Sequence, residues 1–180
     1  MKQIRTLSFE VEEWPTFTDV KEFLPLNDKQ KMKEFLTEEF DSFVHMRADD
    51  LDLLSGYPEA FILPVHAFVR SLSRGLRDLA KHHQASVPIY LQQYAVVPGS
   101  QSHTLECKLD QGWVEINFSW GGEKEPPIFL KELPTLRVPA TTLQQAVVEC
   151  TAQYIQHMAE VLRRLPEWQV LDSKSLFEEF

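Results

Sequence analysis

Alternation of apolar and polar side chains between residues 87 and 120 constrains the fold of this chain more than any other feature of its sequence. Three stretches place an apolar side chain at every second position, which is the period of a β-strand with one buried face. Between them, Pro98-Gly99 fits a tight turn and Asp110-Gln111-Gly112 fits a three-residue hairpin loop, while Gly121-Gly122 ends the last stretch. The sequence therefore predicts a three-stranded antiparallel meander. Its apolar positions are Val87, Ile89 and Leu91, then Leu105, Cys107 and Leu109, then Val114, Ile116 and Phe118.

Two shorter stretches predict further strands. Leu7, Phe9 and Val11 alternate with polar residues near the start of the chain, and we expect this strand to join the meander. The short segment Leu136 to Val138, which holds two apolar residues, is bounded by Pro134 and Pro139, and this favours an edge strand because proline cannot donate to a β-ladder.

The first of three predicted helices begins at Asn27 or Asp28, either of which can cap it, and runs to about His45. Apolar and acidic residues recur at helical spacing on opposite sides of it. The apolar side comprises Met32, Phe35, Leu36, Phe40 and Phe43, and the acidic side comprises Glu34, Glu38 and Asp41.

The second predicted helix runs from about Glu59 to His83, and the third runs from Thr141 or Thr142 until Pro166 stops it. Both carry an apolar stripe at intervals of three and four residues. The stripes are Val65, Val69, Leu72, Leu76 and Leu79, and Leu143, Val147, Cys150, Tyr154, Met158, Val161 and Leu165. A basic stripe opposes the first of them: Arg70, Arg74, Arg77 and Lys81.

These elements predict an α+β domain of two layers, in which an antiparallel sheet of four to five strands is packed mainly on one face by three long helices. A length of 180 residues suits one domain, residues 1–180, with one sizeable core. Residues 171–180 mix apolar and acidic side chains, and this tail either docks or frays.

The formal net charge is -9, with a sequence pI of about 5.1. Residues 1–60 carry seven Lys and Arg against fourteen Asp and Glu, whereas residues 61–100 carry four against one. The negative field of the whole chain repels nucleic acid and acidic membranes, so a cationic protein is the expected partner.

The motifs of common cofactor and metal chemistries are missing from the sequence. It contains no glycine-rich phosphate loop, no Gly-x-Ser-x-Gly elbow, no paired-cysteine spacing and no His-Glu-x-x-His. We therefore expect no cofactor, no bound metal and no catalytic residue. An acid–base pair of carboxylates meeting in space stays open as an alternative.

The two cysteines and the first residues of the chain indicate the cellular compartment of the protein. Cys107 and Cys150 fall on apolar faces, where thiols behave as small hydrophobes, and two cysteines make no disulfide framework. Met1-Lys2-Gln3-Ile4-Arg5 leads directly into the strand pattern without an apolar signal region, and no later run is long enough to span a bilayer. A cytoplasmic protein with reduced thiols is expected.

Two groups of residues are candidate partner-binding surfaces. The first group is acidic. The second group consists of the aromatic residues on the polar face of the meander, and exposed aromatic residues are typical of interfaces. The acidic group is Glu34, Glu38, Asp41, Asp49, Asp50 and Asp52, and the aromatic group is Tyr90, Tyr94 and Trp113. Ordinary solubilising surface is the alternative for the first group, and a covered second core layer is the alternative for the second.

The layout resembles that of bacterial immunity proteins. The resemblance rests on the opening strand Leu7-Ser8-Phe9-Glu10-Val11, on a meander ending in Gly112-Trp113-Val114-Glu115-Ile116, on an aromatic-rich helix and on a closing helix. It implies a protein that neutralises a contact-dependent or polymorphic toxin, often a nuclease, with a rigid acidic surface that occludes the toxin's active site.

The function expected from these observations is non-catalytic, stoichiometric binding of a cognate cationic toxin domain. Two alternatives come from other classes. One is a small enzyme with a carboxylate or histidine site, and the other is a single-stranded nucleic-acid module that combines the aromatic residues with the basic stripe.

Overall fold

The computed structural model describes residues 1–14, 41–53, 62–90, 102–120 and 133–164 of the chain. They form two β-sheets and two α-helices, which confirms the α+β class. The strands are β1 (Lys2–Gln3), β2 (Leu7–Val11), β3 (Asp41–Ala48), β4 (Leu51–Asp52), β5 (Ile62–Pro64), β6 (Gln84–Tyr90), β7 (Ser102–Asp110), β8 (Trp113–Trp120) and β9 (Leu136–Pro139), and the helices are α1 (Val65–His82) and α2 (Ala140–Arg163).

The predicted meander is confirmed as strands β6, β7 and β8, which pair antiparallel in that order. The hairpin between β7 and β8 differs from the prediction, because Asp110 pairs with Trp113 and only two residues form the loop. Gln111 and Gly112 have φ values of 47° and 81°, the left-handed pair that defines a type I′ turn. This turn matches the twist of its strands and thereby sets their register.

Strands β9 and β1 complete the five-stranded sheet, whose order is β1-β9-β8-β7-β6. The segment from Leu136 to Val138 is a strand, as predicted, but it lies between β8 and β1 rather than at an edge. Since β1 runs parallel to β9, the sheet is mixed and not antiparallel throughout.

The second sheet corrects two predictions. Strand β2 pairs with β3 instead of the meander, β4 pairs with the end of β3, and β5 pairs with its beginning. Residues 41–45 are therefore strand where the sequence predicted the end of a helix, and residues 27–40 of that helix lie outside the described residues. In β3, Val44, Met46 and Ala48 are buried and alternate with outward His45 and Arg47, which is strand periodicity.

Both described helices begin at residues other than those predicted. Helix α1 begins at Val65 because the preceding residues form β5, and α2 begins at Ala140, directly after Pro139 and ahead of the expected threonine caps. His83 ends α1 in the left-handed conformation with a φ of 60°, and its N–H donates to the carbonyl of Leu79 at 2.9 Å.

The described residues share one hydrophobic core. The inner faces of both sheets pack against the two helices, so the predicted single sheet with three long helices on one face is not the observed architecture. Helix α1 approaches β6 closely at Gly75, where a Cβ atom would meet Val87 Cγ2 at less than van der Waals distance. A glycine is needed there to let helix and strand meet.

Candidate binding surfaces

The six acidic candidate residues do not all lie on one helix and its flank, as the sequence predicted. Glu34 and Glu38 lie outside the described residues, and Asp41 opens β3 with its side chain outside the description. Asp49 and Asp50 form the turn between β3 and β4, and Asp52 ends β4. The last three therefore lie together on the second sheet.

Asp49 holds Arg5 and Thr6 in place by accepting their hydrogen bonds. Its Oδ1 accepts hydrogen bonds from the backbone N–H groups of Thr6 at 2.8 Å and Arg5 at 2.9 Å, and from Thr6 Oγ1 at 3.1 Å. These bonds, chiefly those from the Thr6 and Arg5 backbone, lower the pKa of Asp49. Its φ of 53° is one that aspartate tolerates better than most residues.

Asp52 forms part of a carboxylate–histidine–carboxylate arrangement. His45 Nδ1 lies 2.9 Å from Asp52 Oδ2, and His45 Nε2 lies 2.7 Å from Glu12 Oε1. Partial burial lowers the pKa of His45, but hydrogen bonds and charges from Glu12 and Asp52 more than offset this and raise it above the ordinary 6.5. The protonated imidazole suits this site because it can donate from both nitrogens.

The outward residues of β2, β3 and β4, with their flanks, form what we call the acidic face: Glu10, Glu12, Phe43, His45, Arg47, Asp50 and Asp52. Arg47 Nε pairs with Glu10 Oε2 at 3.0 Å, and Lys2 Nζ approaches Asp50 Oδ1 at 3.5 Å. Residues 1–14 and 41–53 hold seven Asp and Glu against three Lys and Arg, so this part of the molecule has a net charge of -4.

An aromatic side chain lies within the acidic face. Phe43 is 36% exposed on the outer side of β3, and its carbonyl accepts a hydrogen bond from the Glu12 N–H at 3.0 Å. The predicted position of Phe43 on the apolar side of a helix is wrong, because Phe43 lies in strand β3. An exposed aromatic ring bordered by charges has the composition of an interface centre.

The aromatic candidates are not brought together. Tyr94 lies outside the described residues, and the side chain of Tyr90 at the end of β6 is also outside the description. Tyr90 is level with Ser102 at one end of β7, whereas Trp113 is level with Asp110 at the other, which separates them by about 26 Å along the strands.

Trp113 has a partner within its own sheet. It is half-buried, and the guanidinium carbon of Arg137 on β9 lies 5.2 Å from the ring centroid. This is a cation–π contact on the outer face of the five-stranded sheet. The outward residues of the meander, such as Ser86, Glu106 and Asn117, are exposed.

The basic stripe of α1 borders a groove of about 430 Å³, which we call the edge groove. Arg70, Ser71 and Arg74 line it from the helix, and Ser86 and Pro88 line it from β6. Asp78 and Ser86 also line a second open concavity of about 760 Å³, which extends past His82 to Glu106 and Lys108 on the outer sheet face. Helix α1 itself holds four Lys and Arg against one Asp.

The two thiols are free and buried on the apolar faces where the sequence placed them. Burial raises the pKa of the Cys107 and Cys150 thiols to about 12, so both are protonated at neutral pH. Thiols in this state are poor nucleophiles and poor metal ligands. Among the described residues, no group of His, Cys, Asp and Glu is arranged to hold a metal ion.

A buried polar pair connects the two helices. His66 Nδ1 lies 2.5 Å from the hydroxyl of Tyr154, and burial raises the pKa of that hydroxyl. Trp14 stacks on His157 beside the pair, with ring centroids 5.0 Å apart. This cluster satisfies polar groups within the core, which is a structural role.

Glu12 lies on the outer side of its strand, as the alternation predicts, whereas His45 and Phe43 were not predicted as outward residues of a strand. The alternation Val44, His45, Met46, Arg47 was the available signal, but the helical spacing of the preceding phenylalanines masked it. No helix in the described part of the chain combines the length and hydropathy needed to cross a bilayer.

Comparison with protein-family models, with curated proteins and with solved structures found no match to this chain. Functional inference therefore rests on the surfaces themselves.

Proposed function

We propose that this protein is a non-catalytic binding domain whose acidic face captures a cationic protein. The specific candidate partner is a nuclease domain of a bacterial toxin, which makes the protein an immunity protein. The supporting observation is the exposed Phe43 within a set of carboxylates that internal hydrogen bonds hold in place.

Fixed carboxylates favour such a role for a physical reason. Binding costs free energy when mobile side chains are ordered, and Glu10, Glu12 and Asp52 are already held by Arg47 and His45. Glu10 and Glu12 nevertheless remain about half exposed, and Asp50 is 85% exposed. A surface of this kind can steer a basic domain and compete for a groove that otherwise holds phosphates.

One observation bears on the alternative of a small enzyme, namely the Glu12–His45–Asp52 arrangement. A general base needs a ring nitrogen within reach of a substrate proton. Both nitrogens of His45 are engaged by carboxylates at 2.7 and 2.9 Å, which favours a structural and electrostatic role over proton transfer.

The experiment uses the basic C-terminal domain of a secreted protein encoded by a neighbouring gene, where one is present. Asp50→Lys should slow association several-fold at low salt and much less at high salt, because charge steering is screened by ions. Asp110→Lys is the matched control, since Asp110 is an exposed acid on β7, which belongs to the other sheet. Surface-plasmon resonance at two salt concentrations measures both.

Phe43→Ala tests the centre of the same surface. An aromatic side chain that becomes buried in a complex mainly slows the dissociation of that complex. Phe43→Ala should therefore raise the dissociation rate about tenfold or more and weaken inhibition of the nuclease. Equal effects of Asp50→Lys and Asp110→Lys, together with an unchanged dissociation rate for Phe43→Ala, would remove the acidic face as the binding site.

A further inference from the structure

Glu12 and Phe43 lie side by side at one end of the acidic face. Val11 pairs with Val44, so Glu12 and Phe43 are the next residues level with each other, and the Glu12 N–H donates to the Phe43 carbonyl at 3.0 Å. Cross-strand neighbours of this kind have Cβ atoms about 5 Å apart. A half-exposed carboxylate and an exposed aromatic ring therefore share one small area of the surface.

A carboxylate beside an aromatic ring suits an arginine side chain. The planar guanidinium donates two parallel N–H groups to a carboxylate and also stacks on an aromatic face, whereas the ammonium of lysine acts as a point charge. The protein contains one such contact of its own, with the guanidinium carbon of Arg137 5.2 Å from the centroid of Trp113.

His45 can hold both of its carboxylates only as an imidazolium. Its Nε2 lies 2.7 Å from Glu12 Oε1 and its Nδ1 lies 2.9 Å from Asp52 Oδ2, and a neutral imidazole has a single N–H to donate. The side chain of Asp52 is 21% exposed and that of Glu12 is 50% exposed, so Asp52 loses more from an unmade hydrogen bond. The remaining proton therefore stays on Nδ1, and the lone pair of Nε2 then repels Glu12.

The other charged groups around His45 form two pairs. Glu10 lies opposite His45 in register on β2, and it pairs with Arg47, the next outward residue of β3, at 3.0 Å. Asp50 precedes β4 and approaches Lys2 at 3.5 Å. The three residues of β5, which pairs with the start of β3, are not titratable. Loss of the imidazole proton is therefore felt first by the two carboxylates that contact the ring.

We propose that the acidic face binds an arginine side chain of its partner between Glu12 and Phe43, and that Glu12 passes from His45 to this arginine as His45 gives up its proton to solvent. This proposal rests on the proposed function and adds to it the anchoring side chain and its control by pH. Deprotonation of His45 makes the face more negative by one charge, so a cation binds this state more tightly. Because binding and proton release are coupled, each favours the other to the same extent.

The probes are two short peptides of equal charge, Gly-Arg-Gly-Arg-Gly and Gly-Lys-Gly-Lys-Gly, acetylated and amidated at their ends, with binding followed by NMR. The arginine peptide should bind at least about threefold more tightly at about pH 8.5 than at about pH 6, and at the higher pH at least about threefold more tightly than the lysine peptide. At saturation it should lower the midpoint of the His45 titration by at least about 0.5 pH unit, which tests the coupling without any variant.

Matched variants assign the effect to single side chains. Glu12→Gln should abolish the shift of the His45 midpoint, whereas Glu13→Gln, the same change at the neighbouring exposed acid, should leave it in place. His45→Gln should bind the arginine peptide equally at both pH values, whereas His82→Gln, at an exposed histidine of α1, should keep the pH dependence. Phe43→Leu stays apolar but lacks the ring, so it should lose the preference for arginine over lysine.

Two kinds of failure are distinguishable. The proposal is overturned, and the proposed function left intact, if the arginine peptide shifts the amide signals of the acidic face but binds equally at both pH values, or if the lysine peptide binds as tightly. If neither peptide shifts these signals at millimolar concentration, the acidic face does not bind cations, and this proposal fails together with the proposed function.

Discussion

The two sheets of this protein are organised by different contacts. In the five-stranded sheet, β6, β7 and β8 follow one another along the chain, and the type I′ turn at Gln111 and Gly112 sets the β7–β8 register. In the second sheet, β2 pairs with β3 across a long interval of sequence, with Val11 opposite Val44. Because residues 12–40 separate the two strands, the connection is too long to set their register as a tight turn does.

Polar side chains take the place of a turn in the second sheet. Asp49 ties the β3–β4 turn to the residues that precede β2, and His45 ties β3 to Glu12 after β2 and to Asp52 in β4. A shift of one residue between β2 and β3 would break these hydrogen bonds and turn the buried face of β2 to solvent. Glu12, His45 and Asp52 of the acidic face therefore also help, together with Asp49, to hold the strands of this sheet in register.

The largest expected effects come from the core that both sheets share. Met46 in β3 and Ile116 in β8 are 0% and 1% exposed, so Met46→Ala and Ile116→Ala should each lower the free energy of unfolding by about 2–5 kcal/mol. Glu149→Ala, on the exposed side of α2, is the control and should change it by less than about 0.5 kcal/mol.

Both core variants should unfold in a single transition when urea denaturation is followed by circular dichroism and by tryptophan fluorescence. Two separate transitions, with Met46→Ala shifting only one of them, would show that the second sheet folds independently of the first.

A smaller effect is expected from Asp49→Ala, which removes the acceptor for the N–H groups of Arg5 and Thr6. The melting temperature should fall, and the amides of Arg5 and Thr6 should exchange faster while those of the β7–β8 hairpin do not. Asp49→Asn keeps an acceptor oxygen and tolerates the left-handed backbone, so it should recover most of the loss. Asp50→Ala, one residue away with a single 3.5 Å contact, should have little effect.

The difference between the sheets also explains what could be predicted from the sequence. The strands of the meander could be predicted because their alternation is local, whereas the predicted turns at Pro98-Gly99 and Gly121-Gly122 lie outside the described residues. The stripe from Leu143 to Val161 correctly marks the buried side of α2. The pairing of β2 with β3 was missed because it depends on Asp49 and His45 meeting distant partners, which single-sequence periodicity does not report. Phe40 and Phe43 continued a helical stripe, and this obscured the strand alternation that begins at Asp41.

The smallest effect should be a pH dependence confined to the second sheet. The folded-state pKa of His45 is raised above 6.5, so its stabilisation is fully present below about pH 6.5 and is lost as the pH rises through the higher folded-state value. The free energy of unfolding of the protein minus that of His45→Gln should therefore decrease between about pH 6 and pH 8. Because Glu12 is half exposed and its pairing is screened by solvent, the change should be about 1 kcal/mol or less. Parallel curves for the two proteins, or an NMR titration that places the pKa of His45 below 6.5, would show that Glu12 and Asp52 do not stabilise the imidazolium.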